Sequence, residues 1–595
     1  MAEDQKKRSP SKLIERVIQV LREDGIRSLA RQALEKIRKR EFRVIEPATW
    51  PGGTFATSNL YADLVRNAEN LANTRKIPHF DYEPKLSIIM PLYNTERGAL
   101  EEALHSLRRQ LYENWELCIC DDGSTTIDSK SIIDRVMLKD SRVRVIRHPK
   151  NMGTAAASQS ALTRATGEYI ALMDDDDVLY PDALLEIVTL LNSDRRLDYI
   201  YSDEDKIDET GRRVEPYYKP DWSPELILCS CYTRHLSVFR RSLVNDLHGF
   251  RSEYEGSQDW DLILRVTEQT NKIGHIPKIL YGWRKTSSST ALSQQLKPFA
   301  HDSAKRALTD AMKRRGKDAT VEEGLFYGTF RVKRMITGNP LVSVIIPSAR
   351  ISLLKKCLST LLDVTNYRNL EVVIVNDTGI ADIQRKLPKF PYKIVPNPSP
   401  QEFNFSAMNN TGVKAASGEY LIFLNDDTRT FQPTWLESML EHAQDPEVGA
   451  VGAKLLYPTG RVQHAGVVVG VRGPAGPYDG MSANDHGYFG LVDVIRNCSA
   501  VTAACMMTRR KVFLESGGFD EHLARSWQDV DYCLRLLNMG LRIVYTPYAQ
   551  LYHKCGGTRG KIDWSKGEEK AKQLFTRKWH EFIEKGDPYY NRNLS

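Results

Sequence analysis

Four consecutive aspartates, Asp174 to Asp177, end an apolar run that begins at Tyr169. Carboxylates this close together repel one another strongly away from bulk water, unless a cation lies among them. Mg²⁺ and Mn²⁺ accept a few protein carboxylates and complete their coordination with phosphate oxygens and water. We therefore expect a divalent metal ion with a phosphate ligand here. The alternative is a solvated acidic turn that caps the helix at Pro181.

A similar cluster occurs in the second half of the chain. Asn425, Asp426 and Asp427 follow another apolar run, and this recurrence makes a chance acidic turn a weaker explanation. Asp259 and Asp529 each lie in an acid-apolar-acid segment at the start of a predicted helix. From the residue types alone, either could be an ordinary N-terminal acid that the helix dipole stabilises.

The strands that must position these acids also recur, in the same order, which indicates a duplicated domain. The matching pairs are KLSIIMP at 85–91 with LVSVIIP at 341–347, LCICDDGS at 117–124 with VVIVNDTG at 372–379, and GEYIALMDDDD at 167–177 with GEYLIFLNDDT at 418–428. Each contains the short apolar run that is typical of a buried parallel strand.

Helical patterns separate these strands, for example at 99–111 and 352–364. Strands that alternate with helices predict an α/β fold with a parallel sheet. In open sheets of this type the ligand binds beyond the carboxyl ends of the strands, which is where both acidic clusters fall. The acids are therefore expected to line a binding site in each half.

The length of 595 residues exceeds one ordinary domain of about 150 residues. The predicted regions are a basic helical N-terminal region at 1–80, a first α/β domain at 81–290, a helical linker at 291–340, a second α/β domain at 341–560 and a C-terminal tail at 561–595. The 9 cysteines include no CxxC pair, which favours reduced thiols in the cytoplasm. The net charge of +7 does not indicate a nucleic-acid partner.

The chain resembles the glycosyltransferase family 2 enzymes with the GT-A fold, over about residues 85–290 and 341–560. In the first domain the matching motifs are SIIMPLYN at 87–94, CDDGS at 120–124, Asp-x-Asp at 174–176 and QDWDLILR at 258–265. In the second they are SVIIP at 343–347, VNDTG at 375–379, NDD at 425–427, GGFDE at 517–521, QDVDYCLR at 528–535 and LYHKCGGTRG at 551–560. The resemblance implies two GT-A-type domains in tandem, Rossmann-like with mixed but mostly parallel sheets, after an N-terminal helical segment.

The resemblance also implies roles for individual residues. The nucleotide base would contact Asp122 and Asp377, the sugar and ribose side would contact Asp175 and Asp426, Mn²⁺ or Mg²⁺ would bind Asp174, Asp176, Asp427 and His553, and the diphosphate would contact Arg284 and Arg559. The first domain departs from the pattern, because related enzymes commonly have a histidine where Gly282 stands. Turn-capping acids, a structural histidine and surface ion pairs are the alternatives.

In the family, the acid at the positions of Asp259 and Asp529 is the general base that deprotonates the acceptor hydroxyl. The resemblance therefore implies direct inversion at the anomeric carbon, without a covalent sugar-enzyme intermediate. Trp222 and Trp527 resemble acceptor-side positions, where an aromatic ring can stack on a sugar, although tryptophan is also common in protein cores.

Together these features predict a bifunctional, metal-dependent, inverting glycosyltransferase that extends a bacterial surface polysaccharide of the O-antigen type, with rhamnosyl transfer as one candidate activity. The donor would be a UDP- or dTDP-linked sugar. The alternative is that one domain is inactive and serves as a carbohydrate-binding scaffold. A nucleotidyltransferase is disfavoured, since neither half contains a glycine-rich, lysine-containing triphosphate loop near its start.

Residues 1–43 contain 13 Lys or Arg and 7 Asp or Glu, so 13 − 7 gives a charge of +6. Apolar residues recur there near helical spacing, which predicts two basic amphipathic helices. One interpretation is peripheral contact with the inner face of the cell membrane, where a lipid-linked glycan acceptor would lie. The other is a helical hairpin packed on its own catalytic domain. The sequence contains no run of about 18 apolar residues, so it predicts no membrane-spanning helix.

Overall fold

A computed structural model of the protein describes residues 77–285, 298–376, 385–399, 403–470, 473–555 and 565–594. All of them belong to one compact unit, Trp50–Ser595. The basic helices predicted at 1–43, and with them the expected membrane contact, lie outside the described residues. Within the described ranges, no helix is long and apolar enough to cross a membrane.

The described part of the first domain is built on a nine-stranded sheet with helices on its faces. Its strands are β1 (Leu86–Leu92), β2 (Trp115–Asp121), β3 (Val143–Arg147), β4 (Tyr169–Leu172), β5 (Val178–Leu179), β6 (Tyr199–Ile207), β7 (Arg213–Tyr217), β8 (Ser237–Arg240) and β9 (Ile273–Arg284). Its helices are α1 (Arg97–Arg108), α2 (Ile127–Lys139), α3 (Thr154–Leu162), α4 (Ala183–Ser193), α5 (Arg241–Asp246) and α6 (Gln258–Thr267).

The segment predicted as a helical linker contains one long helix and a two-stranded hairpin. These are α7 (Pro298–Arg314), β10 (Ala319–Glu323) and β11 (Phe330–Arg334). Arg314 of α7 pairs with Glu268 at the end of α6, with Nε 2.7 Å from the carboxylate. Arg331 of β11 pairs with Glu441 of the second domain at 2.5 Å. This segment therefore contacts both domains along its length.

The second domain has a ten-stranded sheet within the described ranges. Its strands are β12 (Val342–Ser348), β13 (Leu370–Asn376), β14 (Lys393–Pro396), β15 (Tyr420–Leu424), β16 (Thr428–Thr430), β17 (Val448–Leu456), β18 (Val462–His464), β21 (Arg496–Asn497), β22 (Cys505–Arg509) and β23 (Arg542–His553), and a separate hairpin is formed by β19 (Val468–Gly470) and β20 (Gly473–Ala475). Its helices are α8 (Ile351–Val364), α9 (Phe405–Ala415), α10 (Trp435–Ala443), α11 (Arg510–Glu515) and α12 (Gln528–Asn538).

The two sheets have the same topology. The strand order is β3-β2-β1-β4-β8-β6-β9-β5 in the first and β14-β13-β12-β15-β22-β17-β23-β16 in the second. The neighbours of β1 and β12 are parallel to them, whereas β8 and β22 run antiparallel to both of their neighbours. The prediction of two tandem domains with mixed, mostly parallel sheets is confirmed.

The same buried clamp fixes the central strands in both domains. In the first, the Ser87 hydroxyl donates to Glu116 at 2.7 Å, and the Gly167 amide donates to Ser87 at 2.8 Å. In the second, Ser343 donates to Glu371 at 2.5 Å, and the Gly418 amide donates to Ser343 at 2.8 Å. Because the glycine lies two residues before the strand that leads to the acidic cluster, the clamp sets where that strand begins.

The C-terminal residues follow α13 (Ser565–Lys578) and α14 (His580–Lys585). Asp587 accepts hydrogen bonds from the Val469 amide at 2.8 Å and the Ser499 hydroxyl at 2.7 Å, both in the second domain. Asn591 donates to Asp203 at 2.8 Å and to the Lys219 carbonyl at 2.9 Å, both in the first domain. The predicted tail is thus a tie between the two domains.

Candidate active site

The Asp174 to Asp177 cluster forms the turn between β4 and β5, at the carboxyl edge of the first sheet. Its first residue is exposed and Asp177 is fully buried. Asp175 accepts hydrogen bonds from the Tyr93 amide at 3.1 Å and from the Thr95 hydroxyl. Burial, followed by the charges of the neighbouring aspartates, raises the pKa of Asp175 to about 7. The protein surroundings therefore disfavour the ionised form of this carboxylate.

Arg284, at the end of β9, contacts this cluster mainly through its backbone and its Nε. Its amide donates to Asp177 at 2.8 Å, and its Nε donates to the Asp176 carbonyl at 2.8 Å. The guanidinium also pairs with Glu102 at 2.5 Å. The Tyr281 hydroxyl donates to the other Asp177 oxygen at 2.6 Å. The predicted diphosphate contact of Arg284 stays a prediction, although the residue lies at the expected edge.

The second acidic cluster lies at the matching place, between β15 and β16. The Ser348 hydroxyl donates to Asp426 at 2.7 Å. His553 Nε2 lies 3.0 Å from Asp427 Oδ1 and 3.2 Å from Asn425 Nδ2, while its Nδ1 lies 3.0 Å from Gln463 Oε1. Asp427 and His553, which are far apart in sequence, thus meet at one buried point.

Strand pairing corrects the position of the first domain's departure from the family pattern. In the second sheet His553 is paired with Thr428, and Arg429 with Tyr552. In the first sheet the corresponding pair is Val178 with Gly282, so Trp283 and not Gly282 occupies the place of His553. A methyl group on Gly282 would lie 2.7 Å from the Tyr180 hydroxyl and 2.8 Å from Ile207, so close packing explains this glycine.

The two predicted bases are held differently. Asp529, at the start of α12, accepts hydrogen bonds from the backbone amides of Ala503 and Val530, both at 3.0 Å, and from the Thr502 side chain. Burial raises the pKa of Asp529. Asp259, at the start of α6, instead lies 2.9 Å from the Arg234 guanidinium. The first predicted base is therefore held by an ion pair and the second by hydrogen bonds.

In each domain, the residue that contacts the predicted base is adjacent in sequence to a residue that contacts the acidic cluster. The Ala504 carbonyl, next to the amide that binds Asp529, accepts a hydrogen bond from the Asn425 amide at 3.1 Å. In the first domain His235 follows Arg234, and one of its ring nitrogens lies within 4.8 Å of a carboxylate oxygen of Asp174 and of Asp177. The fold thus brings base and cluster together in both halves.

The base-binding residues can be followed in the first domain only. Asp122, at the end of β2, is buried and accepts hydrogen bonds from the Met152 amide at 2.9 Å and the Gly153 amide at 2.8 Å, and His148 Nδ1 lies 2.6 Å from it. These contacts hold the loop before α3, and its contact with a nucleotide base stays a prediction. Asp377 and Arg559 lie outside the described residues.

The two tryptophans are half-buried and packed on other aromatic rings. Trp222 lies 6.3 Å from Tyr232 in a stacked arrangement. Trp527 adopts a left-handed backbone conformation with φ of 66° immediately before α12, and its ring lies 5.2 Å from that of Phe575. Both residues are partly accessible in this packing, and their contacts with the acceptor stay predictions.

Sequence reasoning missed Arg234 and His235, which precede β8. Both depend on the pairing of β8 with β4 and β6, strands that are distant in sequence. The assignment of Gly282 to the position of His553 could have been corrected from the sequence. Aligning Pro277 with Pro547, without a gap, places Trp283 opposite His553. The shared proline would have shown that Gly282 is not the substituted position.

The donor groups fit a divalent cation in both domains. In the second, a carboxylate and an imidazole nitrogen converge to 3.0 Å, and a ring nitrogen and carboxylate oxygens are common ligands of Mn²⁺. In the first, two aspartates and a histidine offer one ligand atom each within 4.8 Å.

A family model described as "Glycosyl transferase family 2" matches residues 87–247 and 343–515. The chain is 37% identical to a Sinorhizobium fredii protein named y4gI, over 92% of this chain and 60% of that protein. It is 36% identical to the O-antigen biosynthesis protein RfbC of Myxococcus xanthus, over 86% of this chain and 40% of that protein. The chain therefore spans less than two thirds of the length of these relatives.

Two solved structures are similar to part of the chain. Staphylococcus aureus TarS in complex with UDP is 21% identical over 39% of this chain and 71% of that one, with a TM-score of 0.30. The mannosyltransferase PcManGT from Pyrobaculum calidifontis, in complex with GDP-Man and Mn²⁺, is 18% identical over 43% of this chain and 72% of that one, with a TM-score of 0.31.

Proposed function

Because this chain belongs to glycosyl transferase family 2, we propose that each of its two sheet-edge sites transfers a sugar from a nucleotide-diphosphate donor to a growing glycan. The observation that carries this proposal is the repeated juxtaposition of an acidic cluster and a separate carboxylate. In the second domain Asn425 of the cluster binds Ala504, and Asp529 binds the adjacent Ala503. In the first domain Arg234 pairs with Asp259, and the adjacent His235 lies beside Asp174.

The proposed reaction is a direct displacement with inversion. Asp529 takes the proton of the acceptor hydroxyl while the oxygen attacks the anomeric carbon of the donor, and the nucleoside diphosphate leaves with the bonding electrons. A carboxyl whose pKa is raised by burial, as that of Asp529 is, is the better proton acceptor. Mn²⁺ or Mg²⁺ at Asp427 and His553 supplies neutralisation of the charge on the departing diphosphate.

For the substrates we propose a UDP- or dTDP-linked sugar as donor and a lipid-linked bacterial surface glycan as acceptor. The similarity to an O-antigen biosynthesis protein supports the class of product. Rhamnosyl transfer is the candidate activity to test first. Peripheral contact with the membrane through residues 1–43 belongs to the same proposal, since it would bring the sites to such an acceptor.

The decisive experiment substitutes the two predicted bases separately, as Asp259→Asn and Asp529→Asn, in the full chain. With Mn²⁺, an oligosaccharide acceptor and a panel of nucleotide sugars, we expect each change to lower the rate at which one linkage forms by about 10²- to 10⁴-fold. Product linkages are read by mass spectrometry and NMR. Unchanged products and rates in both variants would show that these acids are not the bases.

Matched controls remove a carboxylate charge at exposed sites in the same domains. Asp134, whose side chain is 61% exposed, serves as Asp134→Asn in the first domain. Glu447, whose side chain is 70% exposed, serves as Glu447→Gln in the second. We expect both control proteins to form the same linkages at the same rates as the unchanged protein.

A second candidate function applies to the first domain alone. The ion pair between Asp259 and Arg234, together with Trp283 at the position of His553, favours a carbohydrate-binding scaffold without turnover. The test is the protein with Asp529→Asn, in which only the first site could act. Release of nucleoside diphosphate by this variant supports two active sites, whereas glycan binding without release supports the scaffold.

A further inference from the structure

His235 is the most unusual polar side chain near the first acidic cluster. It is only 6% exposed, and its Nε2 has no hydrogen-bond partner. A buried polar atom without a partner is costly, so such an atom in a native fold needs an explanation. The ring is fixed by stacking on Tyr281, with centroids 4.6 Å apart, and lies 5.2 Å from the ring of Trp283.

Asp177 presents the matching problem from the other side. It is fully buried, and its two hydrogen-bond donors, the Tyr281 hydroxyl and the Arg284 amide, are both neutral. A buried carboxylate is costly unless a positive charge lies near it. Asp174, Asp177 and His235 each offer a ligand atom, and these atoms lie within 4.8 Å of one another, as the ligands of one ion do.

The two domains differ at two positions, and the differences compensate each other. Pairing of β4 with β8, and of β15 with β22, makes Arg240 equivalent to Arg509, so His235 corresponds to Ala504. Trp283 meanwhile corresponds to His553. Each domain therefore has one histidine at its acidic cluster, but the histidine comes from a different strand.

We propose that the first domain holds its divalent cation between Asp174, Asp177 and His235, so that His235 supplies the imidazole ligand that His553 supplies in the second domain. This deepens the proposed function, on whose metal requirement it rests. It also predicts that the first domain binds metal although Trp283 stands where the second domain has His553. The ion lies deeper than a site at Asp176 alone, because Asp177 and His235 are both buried.

The test uses the full chain with Mn²⁺ and UDP, and pulsed EPR to detect a nitrogen atom bound directly to Mn²⁺. In the protein with His553→Ala, the second site has lost its imidazole, so any remaining nitrogen signal must come from another histidine. We expect the signal to persist in His553→Ala and to disappear when His235→Gln is added. His105→Gln, at an exposed position on α1, is the matched control and should leave the signal intact.

The outcomes separate this inference from the function on which it rests. If His553→Ala binds Mn²⁺ but has lost the whole nitrogen signal, His235 is not a ligand, and the proposed function still stands. If the unchanged protein binds no Mn²⁺ in the presence of UDP, the metal requirement fails and this inference fails with it. The measurement on His553→Ala leaves His235 in place, so the result does not depend on the folding of a His235 variant.

Discussion

At the scale of single residues, His553 is held by partners on three sides. Its Nε2 faces Asp427 and Asn425, and its Nδ1 faces Gln463 at 3.0 Å, which fixes the ring plane. A histidine whose second nitrogen is held in this way is well oriented to bind a metal ion with the first. The residue is nearly fully buried, so its conformation does not depend on solvent.

We therefore expect His553→Ala to raise the Mn²⁺ concentration for half-maximal activity of the second site by at least about tenfold, since loss of an outer partner alone typically weakens metal binding by 10- to 100-fold. The measurement is turnover against Mn²⁺ concentration in an Asp259→Asn background, where only the second site acts. His522→Ala, at a side chain that is 88% exposed, is the control. An unchanged Mn²⁺ dependence would argue against His553 as a ligand.

Gly282 gives a prediction of the opposite kind, an effect on stability without an effect on metal binding. Gly282→Ala would place a methyl group 2.7 Å from the Tyr180 hydroxyl and 2.8 Å from Ile207. Such overpacking typically costs about 1–3 kcal/mol. We expect a lower free energy of unfolding in urea, with Mn²⁺ affinity unchanged. Gly211→Ala, where no atom lies within 4 Å, controls for the added methyl group, although its positive φ adds a backbone cost. A loss of Mn²⁺ binding would restore Gly282 as part of the metal site.

At the scale of secondary structure, the buried clamp of Glu116 decides how β1, β2 and β4 meet. Burial alone would raise the pKa of Glu116, but hydrogen bonds from Lys85, Thr166 and Ser87 prevail and lower it to about 2. The equivalent Glu371 has a lowered pKa for the corresponding reasons. The carboxylate is therefore a structural anion that the fold stabilises in its charged form.

Glu116→Gln should destabilise the first domain by about 1–3 kcal/mol, because it leaves buried donors with a weaker acceptor. The pKa is about 2 in the folded protein and near the ordinary 4.5 in the unfolded chain, so the stabilisation is present above pH 4.5 and is lost as the pH falls toward 2. The free energy of unfolding, measured in urea at pH 7 and pH 3, should therefore differ less between the two pH values for the variant than for the unchanged protein. Glu113→Gln, at an exposed position, is the control. Equal pH dependence in both proteins would contradict the clamp.

At the scale of the whole molecule, the two domains are joined by one hydrophobic cluster that contains residues of both, and they share buried polar contacts. Residues from both sheets, such as Ile89 and Ile346, belong to the same core. Glu225 of the first domain pairs with Arg334 at 2.7 Å, and Ser223 lies 2.9 Å from the Asn497 amide oxygen. The relative position of the two sites is therefore fixed by packing and not by a loose linker.

The C-terminal tie can be tested at Asn591, whose side chain is buried against Asp203 and the Lys219 carbonyl. Asn591→Ala removes one hydrogen-bond donor from each of these buried acceptors, so we expect a loss of about 1–3 kcal/mol in the free energy of unfolding. Faster proteolysis between the domains should accompany it. Asn593→Ala, two residues further along the chain, removes an exposed hydrogen bond to the Pro277 carbonyl and should change the free energy of unfolding little. Equal stability of both variants would show that the tail does not tie the domains.

The duplication and the position of the acids at the sheet edge could both be predicted from the sequence. Those features are local, since an apolar run, its terminal acids and its repeat can all be read within a few residues. The resemblance to family 2 depended on the same local motifs, and the family match bears it out.

The pairing of β9, the place of His235 and the joining of the two domains depend on the tertiary structure. Pairing of β6 with β9 includes register shifts after Ser202 and Asp203, which depend on how the whole sheet packs. His235 reaches Asp174 because β8 inserts between β4 and β6. Contacts between residues so distant in sequence are set by the packing of the whole sheet, whose energy outweighs the entropy lost on closing the intervening loops.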